Sequence, residues 1–264
     1  MTADKYLSSA MLIEVLTRAE HEERVALTKA LQDGATRALT SPELQAAICA
    51  AAGHALGNFV RGGTGVPYAE LLLDAAKYLK VEDVKSRYSS LHEDLCLVEL
   101  DGLTSERTKH VQPDVRLKLV DAYVDELERK ILAKLMVVAY ERATPEQRAA
   151  VDAKLAELAK SPEGKNLSGL STSAALLVIG NLGGFATYTL MSTVLSALSL
   201  GTLGFGAYTL ASSLLSVVLG PAGWLSLAAY GLFKLGSADE GRKVRLAATC
   251  AMVSQRLRDR GRHR

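Results

Sequence analysis

His92 and Cys96 stand four apart in His92-Glu93-Asp94-Leu95-Cys96, a spacing that puts both on one face of a helix and offers a metal two ligands. No further ligand is clustered with them, and a structural zinc takes four, so a chance arrangement outweighs a metal site. Gly62-Gly63-Thr64-Gly65 has the composition of a phosphate-cradling loop, but it follows a helical pattern rather than a strand and lacks the Gly-Lys-Ser/Thr ending. It reads as a turn. Cys49, Cys96 and Cys250 are scattered with no CxxC pair, which gives neither a disulfide framework nor a zinc spacing and suits synthesis in a reducing cytosol. No Ser/His/Asp or paired-carboxylate constellation can be assembled, so the chain is expected to be no enzyme and to need no cofactor or metal.

The chemistry that the sequence does favour is physical. Between Lys165 and Lys234 lie 68 residues without Asp, Glu, Lys, Arg or His, in a chain that is otherwise 23% charged. A charged side chain at the centre of a bilayer costs about 2.5–3.5 kcal/mol on insertion scales, so a membrane selects for such a gap. Residues 167–236 also hold 11 of the 21 glycines, together with hydroxyls such as Thr187, Thr189, Ser192, Thr193, Ser212 and Ser216. Small residues let helices approach closely in lipid, and the hydroxyls make the run only moderately apolar. They could line a polar path between associated helices or bond back to their own helix carbonyls.

The elements that must carry this segment are helical. Apolar residues recur at three- and four-residue spacing throughout, and strand-like alternation is scarce. Residues 1–40 read as a short helical pair broken near Ala19–His21 and closed by Gly34. Residues 41–162 read as an amphipathic helical domain: Ser41-Pro42-Glu43 starts a helix with Ser41 as its cap, Tyr68–Leu79 forms the next, and Asp114 to about Arg142 gives a long one with Val120, Val124, Leu127 and Ile131 on one face. Thr144-Pro145-Glu146-Gln147 starts another, which Ser161-Pro162-Glu163-Gly164 ends at the expected domain boundary.

Residues 167–236 then read as a hydrophobic, membrane-inserting helical hairpin. Ala174–Leu200 would be about 40 Å long as one helix, more than a bilayer core requires. Leu176, Leu177, Phe185 and Leu195 mark its first arm, Gly201, Gly204 and Gly206 its turn, and Leu214, Leu215, Pro221 and Trp224 its second arm. Such a hairpin is similar in character to those of pore-forming bacteriocin domains, which stay covered within a helical bundle until released into lipid. The same hairpin permanently covered by residues 41–160 would be only a core.

Residues 237–264 form a basic C-terminal helix or tail. The chain up to residue 165 has 22 Lys and Arg against 26 Asp and Glu, whereas the remainder has 9 against 3. Arg242, Lys243, Arg245, Arg256 and Arg258 are expected to meet anionic lipid headgroups, since they follow the apolar run directly. Nucleic acid is the less suited partner. The basic tail would hold the C-terminus on the cytoplasmic side, and the N-terminal sequence is no signal peptide, so a cytoplasmic or inner-membrane-associated protein is expected.

The stretch Gly53-His54-Ala55-Leu56-Gly57-Asn58-Phe59-Val60-Arg61-Gly62-Gly63-Thr64-Gly65, followed by Tyr68-Ala69-Glu70-Leu71-Leu72-Leu73-Asp74-Ala75-Ala76-Lys77-Tyr78-Leu79-Lys80, resembles the bacterial YaaW-type family. That family is grouped with ubiquinol–cytochrome c chaperones. The resemblance extends to Leu12–Leu31 and to the helix start at Thr144, and covers about half the chain. It implies helices that bind a subunit of a membrane complex during assembly. Two expectations follow: a non-enzymatic all-α protein that inserts its hairpin into lipid, self-associating to permeabilise it, or a membrane-tethered assembly chaperone that grips a protein partner.

Overall fold

A computed structural model describes residues 12–14, 16–31, 37–52, 68–81, 112–160, 166–182 and 238–262. Of these, 83% are helical and none is in a strand, so the described chain is all-α. Residues 12–14 and 16–17 make a short helical stretch. It is followed by α1 (His21–Leu31), α2 (Ser41–Ala52), α3 (Tyr68–Tyr78), α4 (Pro113–Glu141), α5 (Pro145–Leu158), α6 (Thr172–Leu182) and α7 (Ala238–Arg262).

Local sequence explains the helix starts. The break at Ala19 and Glu20 falls where it is expected, and the Glu23 carboxylate accepts the Glu20 N–H at 2.8 Å to open α1. The closing Gly34 lies outside the described residues. At α2 the cap is one residue earlier than the sequence suggests. Thr40 gives its N–H (2.8 Å) and its hydroxyl (2.9 Å) to Glu43, three residues on, and its carbonyl accepts the Leu44 N–H at 2.8 Å. The Glu43 carboxylate is bound from the other side by Arg37 at 2.8 Å. Ser41 is thereby free for a longer-range role and donates its hydroxyl to the Leu16 carbonyl. Thr144 and Gln147 form the full reciprocal capping box at α5, with Pro145 in the first turn.

The C-terminus of α3 closes without glycine. Lys80 has φ +52°, and the Val81 N–H reaches back to the Ala76 carbonyl at 2.9 Å, so an L-residue occupies the left-handed position of a Schellman-type end. Lys80→Gly is expected to stabilise the protein by about 1 kcal/mol, seen as a higher denaturant midpoint at unchanged slope.

The 29 residues of α4, about 43 Å of helix, organise the packing. Its portion up to Ile131 (Val120, Tyr123, Val124, Leu127, Ile131) shares one core with α1, α2, α3 and α7. Its C-terminal portion (Leu132, Met136, Val137) shares a second with Val151 and Leu155 of α5, Leu167, and Ala175, Leu176 and Ile179 of α6. Helix α7, the expected lipid-facing tail, is packed into the bundle in the described structure. Val244, Leu246, Ala247, Ala248, Cys250, Ala251, Val253 and Leu257 are all buried, and α7 packs on α1, α2, α3 and α4. Its apolar face is built from small residues, Ala-Ala-Thr-Cys-Ala, whose burial the surrounding arginines mask in the sequence.

Candidate functional site

Helix α6 is the described head of the charge-free segment, and it is seated in the bundle. Ser171 caps it, accepting the Ala174 N–H at 3.3 Å. Thr172 donates its hydroxyl to Asp152 Oδ1 on α5 at 2.6 Å, and the Tyr140 hydroxyl of α4 donates to the same oxygen at 2.9 Å. One carboxylate on α5 thus ties α4 and α6 together. Below this tie Leu176 is fully buried, with Ala175 and Ile179 beside it, whereas Leu177 on the opposite face is 38% exposed.

Helices α4 and α6 make the most extensive contact in the described structure. Gly180 is the reason they come so close. A Cβ at that position would overlap the Ala133 Cβ and lie 2.8 Å from its Cα, so only glycine fits unless the helices move apart. Gly180→Ala is expected to destabilise by about 1–3 kcal/mol despite alanine's better helix propensity. The double variant Gly180→Ala/Ala133→Gly should recover part of the loss, and a thermal unfolding cycle over the four proteins measures that coupling.

Among the expected hairpin residues, Leu176 and Leu177 fall on α6, the first in the core and the second at the surface. Phe185, Leu195, Gly201, Gly204, Gly206, Leu214, Leu215, Pro221 and Trp224 lie outside the described residues, as does the domain boundary at 161–164. No helix among the described residues is long and apolar enough to cross a membrane.

The residues expected to contact headgroups are distributed along α7. Lys243 is 3.3 Å from Asp74 of α3, with its side chain 14% exposed. Arg258 is equally buried and lies 2.5 Å from Asp121 and 3.8 Å from Glu128, both on α4. In the folded bundle these two cations hold α7 to its neighbours rather than facing outward, because each meets a carboxylate supplied by a packed helix. Arg242, Arg245 and Arg256 are carried by the same helix.

Arg258 borders a buried polar cluster that the sequence did not single out. Glu128 has no solvent exposure. The Tyr68 hydroxyl of α3 donates to its Oε1 at 2.9 Å, and the Gln255 amide of α7 donates to its Oε2 at 2.8 Å and to Asp125 Oδ1 at 2.7 Å. The Arg258 Nε donates to the Ser254 hydroxyl at 3.2 Å. Burial pushes the Glu128 carboxyl up to about 7, against the pull of Arg258 and of hydrogen bonds from Gln255, Ser254 and Tyr68. Burial, reinforced by the Glu128 charge, also raises the Tyr68 phenol. The Cys250 thiol is raised by burial first and then by Glu128 and Cys49, which keeps it in the unreactive thiol form. One signal for this cluster is present in the sequence: Glu128 interrupts the apolar face formed by Val124, Leu127 and Ile131.

A groove of about 1020 Å³ between α1 and α2 is lined by His21, Arg24, Arg37 and several hydroxyls. Its polar groups are largely turned on the protein itself: Arg24 donates to the Ala19 carbonyl, Arg37 to Glu43, and Thr28 to the Arg24 carbonyl while accepting the Leu39 N–H. Among the described residues no group of three or more His, Cys, Asp or Glu could hold a metal ion. His92, Cys96, His54 and Gly62–Gly65 are outside them. Comparison of the chain with protein-family models, with curated proteins and with solved structures finds no match.

Proposed function

We propose that this protein is a non-enzymatic, membrane-inserting helical protein whose amphipathic helices hold the head of an apolar hairpin until a trigger releases it into an anionic bilayer, where association of the small-residue-rich segments permeabilises the membrane. The observation that carries the reading is the charge-free run of 68 residues between Lys165 and Lys234. The seating of α6 supports the conditional part of it. Leu176 and Ile179 are covered by α4 and α5, and the tie at Asp152 together with the Gly180–Ala133 approach gives that cover a defined geometry.

Release would expose apolar area, and at about 25 cal/mol per Å² its burial in lipid supplies the driving force. The hydroxyl-rich composition of the run fits helices that associate within the bilayer better than a permanent anchor. Lys243 and Arg258 become available to headgroups only once α7 leaves Asp74 and Asp121.

Dye release from vesicles rich in phosphatidylglycerol tests the reading. The full chain is expected to release dye, and a variant lacking residues 183–236, which keeps the core helix α6, is expected to be inactive. Binding without release would instead favour a membrane-tethered assembly chaperone. Absence of both binding and release, with the full chain remaining in the supernatant after carbonate extraction, would sink the membrane reading.

A further inference from the structure

Glu128 sits where three helices meet, and every element packed on it brings it a polar group. From α3 comes the Tyr68 hydroxyl, and from α7 the Gln255 amide, the Ser254 hydroxyl and the Arg258 guanidinium. Cys250 of α7 lies close by, with Cys49 of α2 beyond it. On α4 itself Asp121 and Asp125 precede it, the latter 2.9 Å from Arg129.

The balance of charge around Glu128 is uneven. Arg258 makes its short contact with Asp121 at 2.5 Å and stands 3.8 Å from Glu128. An ionised Glu128, without exposure to water, would have neutral hydrogen-bond donors from Tyr68, Gln255 and Ser254, but its nearest charge partner would be the longer contact of a cation already bound to another carboxylate. A neutral carboxyl meets no such difficulty. The Tyr68 and Ser254 hydroxyls can each turn from donor to acceptor, so the pocket can hold either form of the group, and the protonated form has an acceptor for its own O–H.

We propose that Glu128 is the proton-holding group of this bundle: it is neutral in the tightly packed state, and its ionisation loosens α7 from α3 and α4. The raised carboxyl agrees with this, since a folded state that holds the proton more tightly than the unfolded chain loses stability as pH rises through the window between them. The switch has the opposite sense to acid-triggered release.

Infrared spectra of the unmodified chain test the protonation directly. The carbonyl stretch of a buried un-ionised carboxyl is expected near about pH 6 and should be lost by about pH 8, as the group titrates between these values. Glu128→Gln should abolish that band. Tyr68→Phe, which removes a hydrogen bond to the carboxylate, should keep the band and move its loss to higher pH, and so assigns the band even if Glu128→Gln does not fold. In thermal unfolding, the midpoint of Glu128→Gln relative to the unmodified chain should climb as pH rises from about 4.5 to about 7. A band missing at both pH values, a band that survives Glu128→Gln, a titration unmoved by Tyr68→Phe, or a midpoint difference independent of pH would each overturn the proposal. Neither measurement involves a membrane, so this proposal and the membrane-inserting reading fail separately.

Discussion

Replacing Leu176 by alanine is expected to destabilise the protein by about 3 kcal/mol, since a leucine truncated in a closed core loses both its transfer free energy and the contacts around the cavity left behind. Leu176 is fully buried among Leu132, Met136, Val151 and Leu155, helices α4 and α5 supply the walls, and Gly180 sets the close approach of α6 to α4. The site has little room to collapse. Leu177→Ala is the internal control: the residue is adjacent in sequence but 38% exposed, and the expected change is within about 0.5 kcal/mol. Urea unfolding of the two variants checks the difference. On the membrane-inserting reading Leu176→Ala also weakens the cover over the hairpin head, so vesicle dye release should be faster for it than for Leu177→Ala. Equal release rates at clearly different stabilities would separate the second core from the release step.

The pH dependence centred on Glu128 is expected to be of similar size. Its carboxyl moves from an ordinary 4.5 to about 7 in the fold, which corresponds to about 3 kcal/mol at 1.36 kcal/mol per unit. The folded state binds the proton more tightly, so this stability is fully present below about pH 4.5, declines as pH rises to about 7, and is flat beyond. Urea unfolding at a series of pH values reads the slope, and Glu128→Gln should remove it. Glu43 has the opposite sign. Arg37 and then Thr40 lower its carboxyl to about 2, so its contribution is lost as pH falls from 4.5 toward that value. Glu43 is solvent-exposed, and screening makes its share small. Acid therefore tightens the packing at Glu128, and a low-pH trigger for the hairpin would have to act elsewhere.

Helix starts were legible because they depend on chemistry within four residues. Thr144 and Gln147 announce their capping box in the sequence, Tyr68 opens its helix where the pattern places it, and the long helix expected from Asp114 begins one residue earlier, at Pro113. The shift from Ser41 to Thr40 as the cap of α2 shows the limit of such reading. Both residues can cap, and the choice falls to Thr40 because Glu43 stands three residues after it and because Leu16, 25 residues earlier, offers Ser41 a carbonyl.

The packing of helix α7 is hidden in the sequence for a different reason. Its arginines advertise a solvated or lipid-facing surface, while the fact that Asp74 and Asp121 would meet Lys243 and Arg258 depends on tertiary packing across more than 130 residues. The Glu128 cluster was legible only in part. A carboxylate on an apolar helical face is visible in one dimension, but Tyr68 and Gln255, which make it tolerable, come from two other helices.

Ile131 and Leu132 are consecutive residues of α4, yet they belong to different cores, and Ala251 of α7 sits in the second core while Cys250 sits in the first. The seam between the cores therefore crosses two continuous helices instead of following a loop. Neither core can melt to its edge without breaking hydrogen-bonded turns in the middle of a helix. Unfolding should consequently be a single cooperative transition, in which fluorescence near Tyr68 and hydrogen exchange on α6 report the same event. A hinged pair of domains would give two.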